Sequence, residues 1–283
     1  SEHTVPVDVD RTRDEGTHAD RTHADGTRVD DAPADGARDY VELHCRSAFS
    51  LLAGASLPEQ LVARAVAVGL PALALTDRHD LGGAVRFAQA ARAGGLDAIV
   101  GAEVDVDGWP GDAPDTPPAP LVLLAESREG YGHIATLVSR ARLDRPRGVP
   151  AVPFDQLAAH TAGVHVLTGG PEGRVPALVA RGTRGALAAA RATVGVLRDA
   201  FDGRVAVECW DHGLPEERAL VRALVPLARA AGVPWTVAHD VRYAEPALRA
   251  VHDVLAALRH GRPLDAMGTR LAPNDQWHLQ GPA

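Results

Sequence analysis

The sequence predicts an α/β fold closed into a TIM-barrel-like (β/α)7 barrel, and three observations support this. Seven short apolar runs alternate with longer stretches of helical periodicity, the order that gives parallel strands joined by right-handed crossovers. The apolar positions are mostly Ala, Val and Leu, with only 4% aromatics, which suits helices packed closely on a buried parallel sheet. Ionisable residues gather at the C-terminal ends of the first, second, third and seventh runs, where parallel α/β folds place their sites. Periodicity alone also allows an open doubly wound sheet. The closed form is preferred because the distant edge strands of an open sheet could not share one site.

Residues 1–38 carry almost no large apolar side chains, and a loose ten-residue repeat runs from Arg11 to Asp30. Such a segment cannot bury enough apolar surface to offset its ordering entropy, so it is expected to be a disordered acidic tail. Its histidines are then tail residues, not metal ligands. From Tyr40 the strand candidates are Tyr40–His44, Ala72–Thr76, Ala98–Val104, Leu121–Leu124, Val164–Thr168, Val205–Glu208 and Trp235–Ala238. Helix candidates lie between them near Pro58–Val68, Gly83–Ala93, Tyr131–Arg142, Gly185–Phe201, Glu216–Ala231 and Pro246–Arg259. Ser56 and Glu59 have the capping-box spacing and Gly69 sits where a C-terminal cap would. Pro226 should kink or split its helix, because it removes one backbone donor.

At 283 residues the chain can bury a sizeable core. Its net charge is −8, with ten acidic and five basic side chains in residues 1–38, so the remaining 245 residues carry only −3. All 29 basic residues are Arg, read as a coding bias. This balance excludes the basic footprint of a protein that binds duplex DNA on its own. Two cysteines, Cys45 and Cys209, cannot make a disulfide framework, and reduced thiols are expected. No apolar run approaches a membrane span and the N-terminus lacks a signal-peptide core, so a soluble cytoplasmic protein is expected.

The strand ends present His44-Cys45-Arg46, Asp77-Arg78-His79-Asp80, Glu103, Glu208-Cys209-Trp210-Asp211-His212 and His239-Asp240-Val241-Arg242. Histidine and carboxylate side chains so placed are what a divalent-metal hydrolase uses to activate water. The plainer alternative for any single residue is a loop hydrogen bond, so it is the convergence that points to an old metal site.

These residues carry a resemblance. Tyr40–Ser56 (YVELHCRSAFSLLAGAS), Ala74–Phe87 (ALTDRHDLGGAVRF) and Ile99–Glu103 (IVGAE) resemble the first three motifs of the polymerase-and-histidinol-phosphatase (PHP) domain of C-family bacterial DNA polymerases. Gly130–Arg142, His239–Tyr243 and Val251–His278 resemble the error-prone branch. The likeness covers roughly residues 39–283. It implies a distorted seven-stranded barrel over residues 39–262, with residues 263–283 beginning a linker toward a polymerase core. In intact relatives such a barrel holds up to three divalent ions between nine ligands. Carried over by motif, His44, Glu103 and Asp240 match ligands, and Asp77 is present in its motif. The other expected ligands are replaced by Arg46, Ala53, Arg78, Pro120, Gly170 and Arg242, and His79 is displaced by one position. His79, His212 and His239 remain weaker candidates.

Arginine offers a cation no lone pair, but it brings positive charge into a site built of carboxylates. Arg46, Arg78 and Arg242 are therefore expected to replace lost ions by pairing with Asp77, Glu103 and Asp240. Three functional readings follow. One is an inactive PHP barrel supporting a polymerase core that serves DNA replication, repair and translesion synthesis, with no bound cofactor. It would meet DNA only through the full polymerase, and other replication or mutagenesis subunits are further partners. The second is a residual phosphoesterase or 3′–5′ exonuclease with Zn²⁺ or Mn²⁺ at His44, Glu103 and Asp240. The third is a free-standing histidinol-phosphatase-like enzyme. A metal enzyme needs donor atoms within about 2.0–2.6 Å of a common point, whereas a scaffold needs satisfied ion pairs there.

Overall fold

The computed structural model describes residues 40–113 and 115–281, so the expected disordered tail over residues 1–38 lies outside the described residues. Seven strands form one curled sheet: β1 (Ala72–Leu75), β2 (Asp97–Asp107), β3 (Ala119–Ala125), β4 (Val152–Pro153), β5 (Val164–Leu167), β6 (Val205–Trp210) and β7 (Trp235–Ala238). Their order is β1-β2-β3-β5-β6-β7, with the short β4 paired to β2. The helices are α1 (Pro58–Ala67), α2 (Ala84–Gly94), α3 (Arg128–Leu143), α4 (Phe154–Ala158), α5 (Arg174–Ala180), α6 (Arg184–Ala200), α7 (Pro215–Ala231) and α8 (Arg249–His260).

The first apolar run closes the ring without being a strand. Glu42 bridges Leu73 of β1, and Cys45 bridges Val241 just past β7. Ala74 N–H donates to the Glu42 carbonyl at 2.8 Å and Val241 N–H to that of His44 at 2.9 Å. No regular ladder forms because side chains take the intervening donors: Glu42 Oε1 accepts His44 N–H at 2.9 Å and Thr76 Oγ1 accepts Cys45 N–H at 2.9 Å.

The expectation that every strand is parallel fails at β3, which runs antiparallel to both β2 and β5. Among the described residues no helix lies between β2 and β3, and the chain returns antiparallel instead of crossing over. The capping box also falls elsewhere. Leu57 is the N-cap of α1, and Gln60 Oε1 accepts its N–H at 2.8 Å. Ser56 Oγ instead accepts Ala244 N–H at 2.8 Å, and Glu59 pairs with Arg86 at 2.6 Å. Gly69 follows α1 at φ +77°, the left-handed turn that glycine adopts without a side-chain penalty. Pro226 does not split α7, which runs unbroken from Pro215 to Ala231. Leu224 and Ala228, on either side of it, are buried in the core and anchor the helix across the missing bond. The stretch expected to begin a linker packs on the barrel: Leu279 joins the cluster around Leu61 and Leu73, and its N–H donates to the Tyr243 carbonyl at 3.0 Å.

Alternation along the strands separates helix-facing from barrel-facing side chains. On β6, Val205, Val207 and Cys209 enter the large core beneath α3–α7, whereas Ala206 joins an inner cluster with Ala74, Val122, Leu124 and Leu167. No helix contributes to that inner cluster, which fills the barrel interior. Both cysteines are free and buried. Among the described residues no helix is long and apolar enough to cross a membrane.

Candidate functional site

The same alternation builds the mouth. On β2, Ala102, Val104 and Val106 pack outward on the helices, which leaves Glu103 and Asp105 on the inner face. On β6, Glu208 and Trp210 follow Ala206 to the interior. His44 and Arg46 come from the closing segment, Arg78 and His79 from the loop after β1, and Asp240 and Arg242 from the loop after β7. His79 and Asp240 adopt φ of +50° and +41°, a left-handed conformation uncommon outside glycine that often marks functional loops.

These groups form one charge network. His44 Nε2 lies 2.8 Å from Glu103 Oε2 and 3.7 Å from Asp240 Oδ1, while Nδ1 lies 2.7 Å from Glu208 Oε1. Arg46 reaches Glu103 at 2.5 Å and Asp240 at 3.1 Å. Arg78 forms paired 2.8 Å contacts to Asp105 and also approaches Glu103 at 3.3 Å. Arg242 donates twice to Asp240 Oδ2, at 2.9 and 2.6 Å. Four carboxylates thus face three guanidinium groups and one imidazole, all charge-assisted pairs.

Burial and partners set the protonation states. Burial alone would lower the His44 pKa, but Glu208, then Glu103 and Asp240, push it up to about 10. Burial would raise Glu103, yet Arg46, His44 and Arg78 hold it well below the usual carboxylate range. Asp240 is likewise held down against burial by Arg242, Arg46 and His44. His44, Glu103 and Asp240 are therefore charged at neutral pH.

The structure brings His44, Glu103, Asp240, Arg46, Arg78 and Arg242 together, but not Asp77. Asp77 is expected as an arginine partner, yet its carboxylate accepts from the backbone and hydroxyls of Ser47 and Ser50, with the hydroxyl contacts at 2.7 and 2.6 Å. It organises the turn after the closing segment, and Arg78 pairs with Asp105 instead. His79 Nε2 accepts the Asp105 N–H at 3.1 Å, apart from the His44 cluster. His212 is turned away as well: it stacks on Trp277 at 4.1 Å, with Nδ1 at Glu217 and Nε2 at the His239 carbonyl. His239 Nδ1 meets Tyr40 at 2.8 Å and Glu42 at 3.2 Å. Sequence reasoning missed Asp105, Glu208 as the partner of His44, and Trp210. The period-two spacing of 103 with 105 and of 208 with 210 is the signal that finds them.

Trp210 also closes the wall beside Gly170. Its Nε1 donates to Glu208 at 2.6 Å, and its ring fills the space beside Gly170, so any Cβ at position 170 would overlap the indole. The model of the PHP domain matches residues 42–212. This chain belongs to the PHP domain family.

Relatives of this PHP domain include an error-prone DNA polymerase of Anaeromyxobacter dehalogenans strain 2CP-1, 41% identical over 252 residues, or 86% of this chain and 20% of the relative. The error-prone DNA polymerase of Symbiobacterium thermophilum is 35% identical over 259 residues, 86% of this chain and 23% of its own. That of Mycobacterium tuberculosis H37Rv is 37% identical over 244 residues, with shares of 85% and 22%. The chain spans about a fifth of the length of these curated relatives. Among solved structures, an amidohydrolase from Chromobacterium violaceum aligns at a TM-score of 0.45 and 17% identity, over 71% of this chain and 87% of its own. Within this PHP domain His44, Glu103 and Asp240 keep donor atoms within 4.8 Å of one another, close enough to share an ion.

Proposed function

We propose that this PHP domain is a metal-independent structural barrel of an error-prone C-family DNA polymerase and hydrolyses no phosphoester itself. The observation that carries this reading is the occupation of the donor set by its own arginines. Arg46 lies against both Glu103 and Asp240, so its guanidinium already neutralises two of the carboxylates that would hold a cation. Both ring nitrogens of His44 face carboxylates, so the imidazolium has no free lone pair for a metal. The indole against Gly170 closes a further ligand position. The donor set therefore does not fit a divalent ion, and no catalytic step runs through one.

On this reading DNA synthesis, and any role in repair or translesion synthesis, belongs to the longer polymerase in the cytoplasm. Residues 39–262 form its barrel and 263–283 lead on to the polymerase core. DNA and other replication or mutagenesis subunits meet that assembly, not the isolated barrel. The proximity of His44, Glu103 and Asp240 favours one rival, a residual Zn²⁺- or Mn²⁺-dependent phosphoesterase or 3′–5′ exonuclease. Elemental analysis after dialysis against Zn²⁺ and Mn²⁺ separates the two. The structural reading expects no retained ion and the same melting temperature with and without chelator. An ion retained at one per chain and lost in His44→Ala or Glu103→Ala would establish the rival.

A further inference from the structure

α8 turns alanines and one unpaired histidine inward and its larger apolar side chains outward. Ala256 and Ala257 meet Met267 and Leu271, and His252 is buried against Tyr243 at a ring-centroid distance of 5.7 Å. Among the described residues neither ring nitrogen of His252 has a hydrogen-bond partner, nor has the Tyr243 hydroxyl. Burial, then Arg242 and Arg259, push the His252 pKa down to about 4, so the imidazole is neutral. Burying it without a partner costs stability. The opposite face carries Val251, Val254 and Leu258, which are 46%, 48% and 62% exposed. Exposed Ala247, in the single helical turn Pro246–Leu248 ahead of α8, extends the line.

Positions 247, 251, 254 and 258 are spaced four, three and four residues apart, the pattern of a helix that packs lengthwise on another helix. The exposed charges are polarised along this line. Glu245 stands at its N-terminal end and Arg259 and Arg262 at its C-terminal end. Asp253 is taken by Arg249 at 3.8 Å, and Asp265, beyond Arg262, offsets only one of the two arginines. A stripe that is acidic at one end and basic at the other complements itself when turned end for end. A two-fold axis near Val254 and Leu255 sets Val251 against the partner's Leu258 and lays the Arg262 end over the partner's Glu245.

We propose that α8 is the contact of a weak homodimer, in which a second copy of this chain seats its own α8 antiparallel on Val251, Val254 and Leu258. Area sets the strength. A few half-exposed side chains per copy fall well short of the roughly 800 Å² per partner of a standard stable interface, so the pairing is reversible and depends on concentration. A dissociation constant on the order of 100 µM is expected. The exposed end pairs of Arg262 and Glu245 fix the antiparallel direction more than they add affinity, and salt screens them.

The test is sedimentation equilibrium of the full chain from about 10 µM to about 1 mM, a range that brackets that constant. A reversible monomer–dimer equilibrium is expected. Val254→Glu sets two carboxylates across the axis and should weaken the dimer about tenfold or more. Its thermal midpoint at about 1 µM, where both proteins are monomers, should match the parent, because the position is on the surface. Leu258→Gln takes its place where Val254→Glu lowers that midpoint. Arg262→Glu and Glu245→Arg should each weaken the dimer about threefold, and the variant carrying both should recover parental affinity, because each copy then offers the reversed pair. A single monomer across the whole range would overturn the proposal and hand this face to a different partner. A dimer indifferent to both Val254→Glu and Leu258→Gln would place the contact elsewhere, and a charge swap no tighter than its single variants would overturn the antiparallel pairing.

Discussion

Arg46 and Arg259 are the same kind of residue at the same barrel mouth, but their surroundings differ. Arg46 is 7% exposed and lies between two buried carboxylates, Glu103 and Asp240. Arg259 is exposed and makes no ion pair among the described residues. A buried guanidinium is tied to its partners, because removing it strands their charges away from water. A rim guanidinium stays solvated and can be lost or engaged with little effect on folding. Burial therefore divides the mouth into an inner ring that holds the barrel together and a solvated rim.

The largest expected effect tests the inner ring. Arg46→Ala should destabilise the domain by about 3–5 kcal/mol, because Glu103 and Asp240 are left uncompensated. Arg259→Ala should stay within about 0.5 kcal/mol of the parent. Urea unfolding of the two variants measures the difference directly, and equal midpoints would erase the distinction between ring and rim.

Stability against pH reads the same ring through its protons. His44 is raised to about 10 from an unfolded value of 6.5, so the native state holds the extra proton above pH 6.5. Its stabilising contribution is complete below about pH 6.5 and is lost as pH rises through 10. Glu103 and Asp240 are depressed; their contribution is complete above the unfolded range near pH 4 and is lost as pH falls below it. A plateau between about pH 5 and 6.5 is expected. His44→Gln should flatten the alkaline side in a series of thermal melts; an unchanged alkaline slope would show that His44 is not the titrating group.

A smaller effect is expected at Gly170. Gly170→Ala should cost about 1–3 kcal/mol by forcing the Trp210 indole out of place, and pairing it with Trp210→Leu should recover part of the loss. Additive losses in that double-variant cycle would mean that the two positions are not in contact. The smallest effect marks the surface limit. Arg86→Ala breaks a solvent-exposed pair with Glu59 and should shift stability by less than about 1 kcal/mol, and less still at high salt.

Most of the barrel was legible because alternating apolar runs report burial directly. Six of the seven runs match strands, and each predicted helix is present within a few residues. The closing segment escaped because Glu42 and Thr76 side chains take backbone donors that a ladder would use, a competition that periodicity does not encode. The hairpin into β3 escaped because apolar alternation carries no strand direction. α4 and α5 are five and seven residues long, too short for a helical repeat to stand out. In the site, residues carried by motif gathered at the mouth, but the partners of the arginines were harder to read. Asp77 lies beside Arg78 in sequence, yet successive side chains on an extended backbone point apart, so Arg78 turns to Asp105 on the neighbouring strand.

The contact between Trp210 and Gly170 couples two positions of the barrel wall. A side chain at position 170 and the indole of Trp210 in its present place compete for the same space, so a larger residue at 170 calls for a second change at 210. A smaller residue would first have to appear at 210, which would take a hydrogen bond from Glu208, the carboxylate that holds His44. The wall of the barrel at 170 and the charge network at His44 are thereby tied together through one indole.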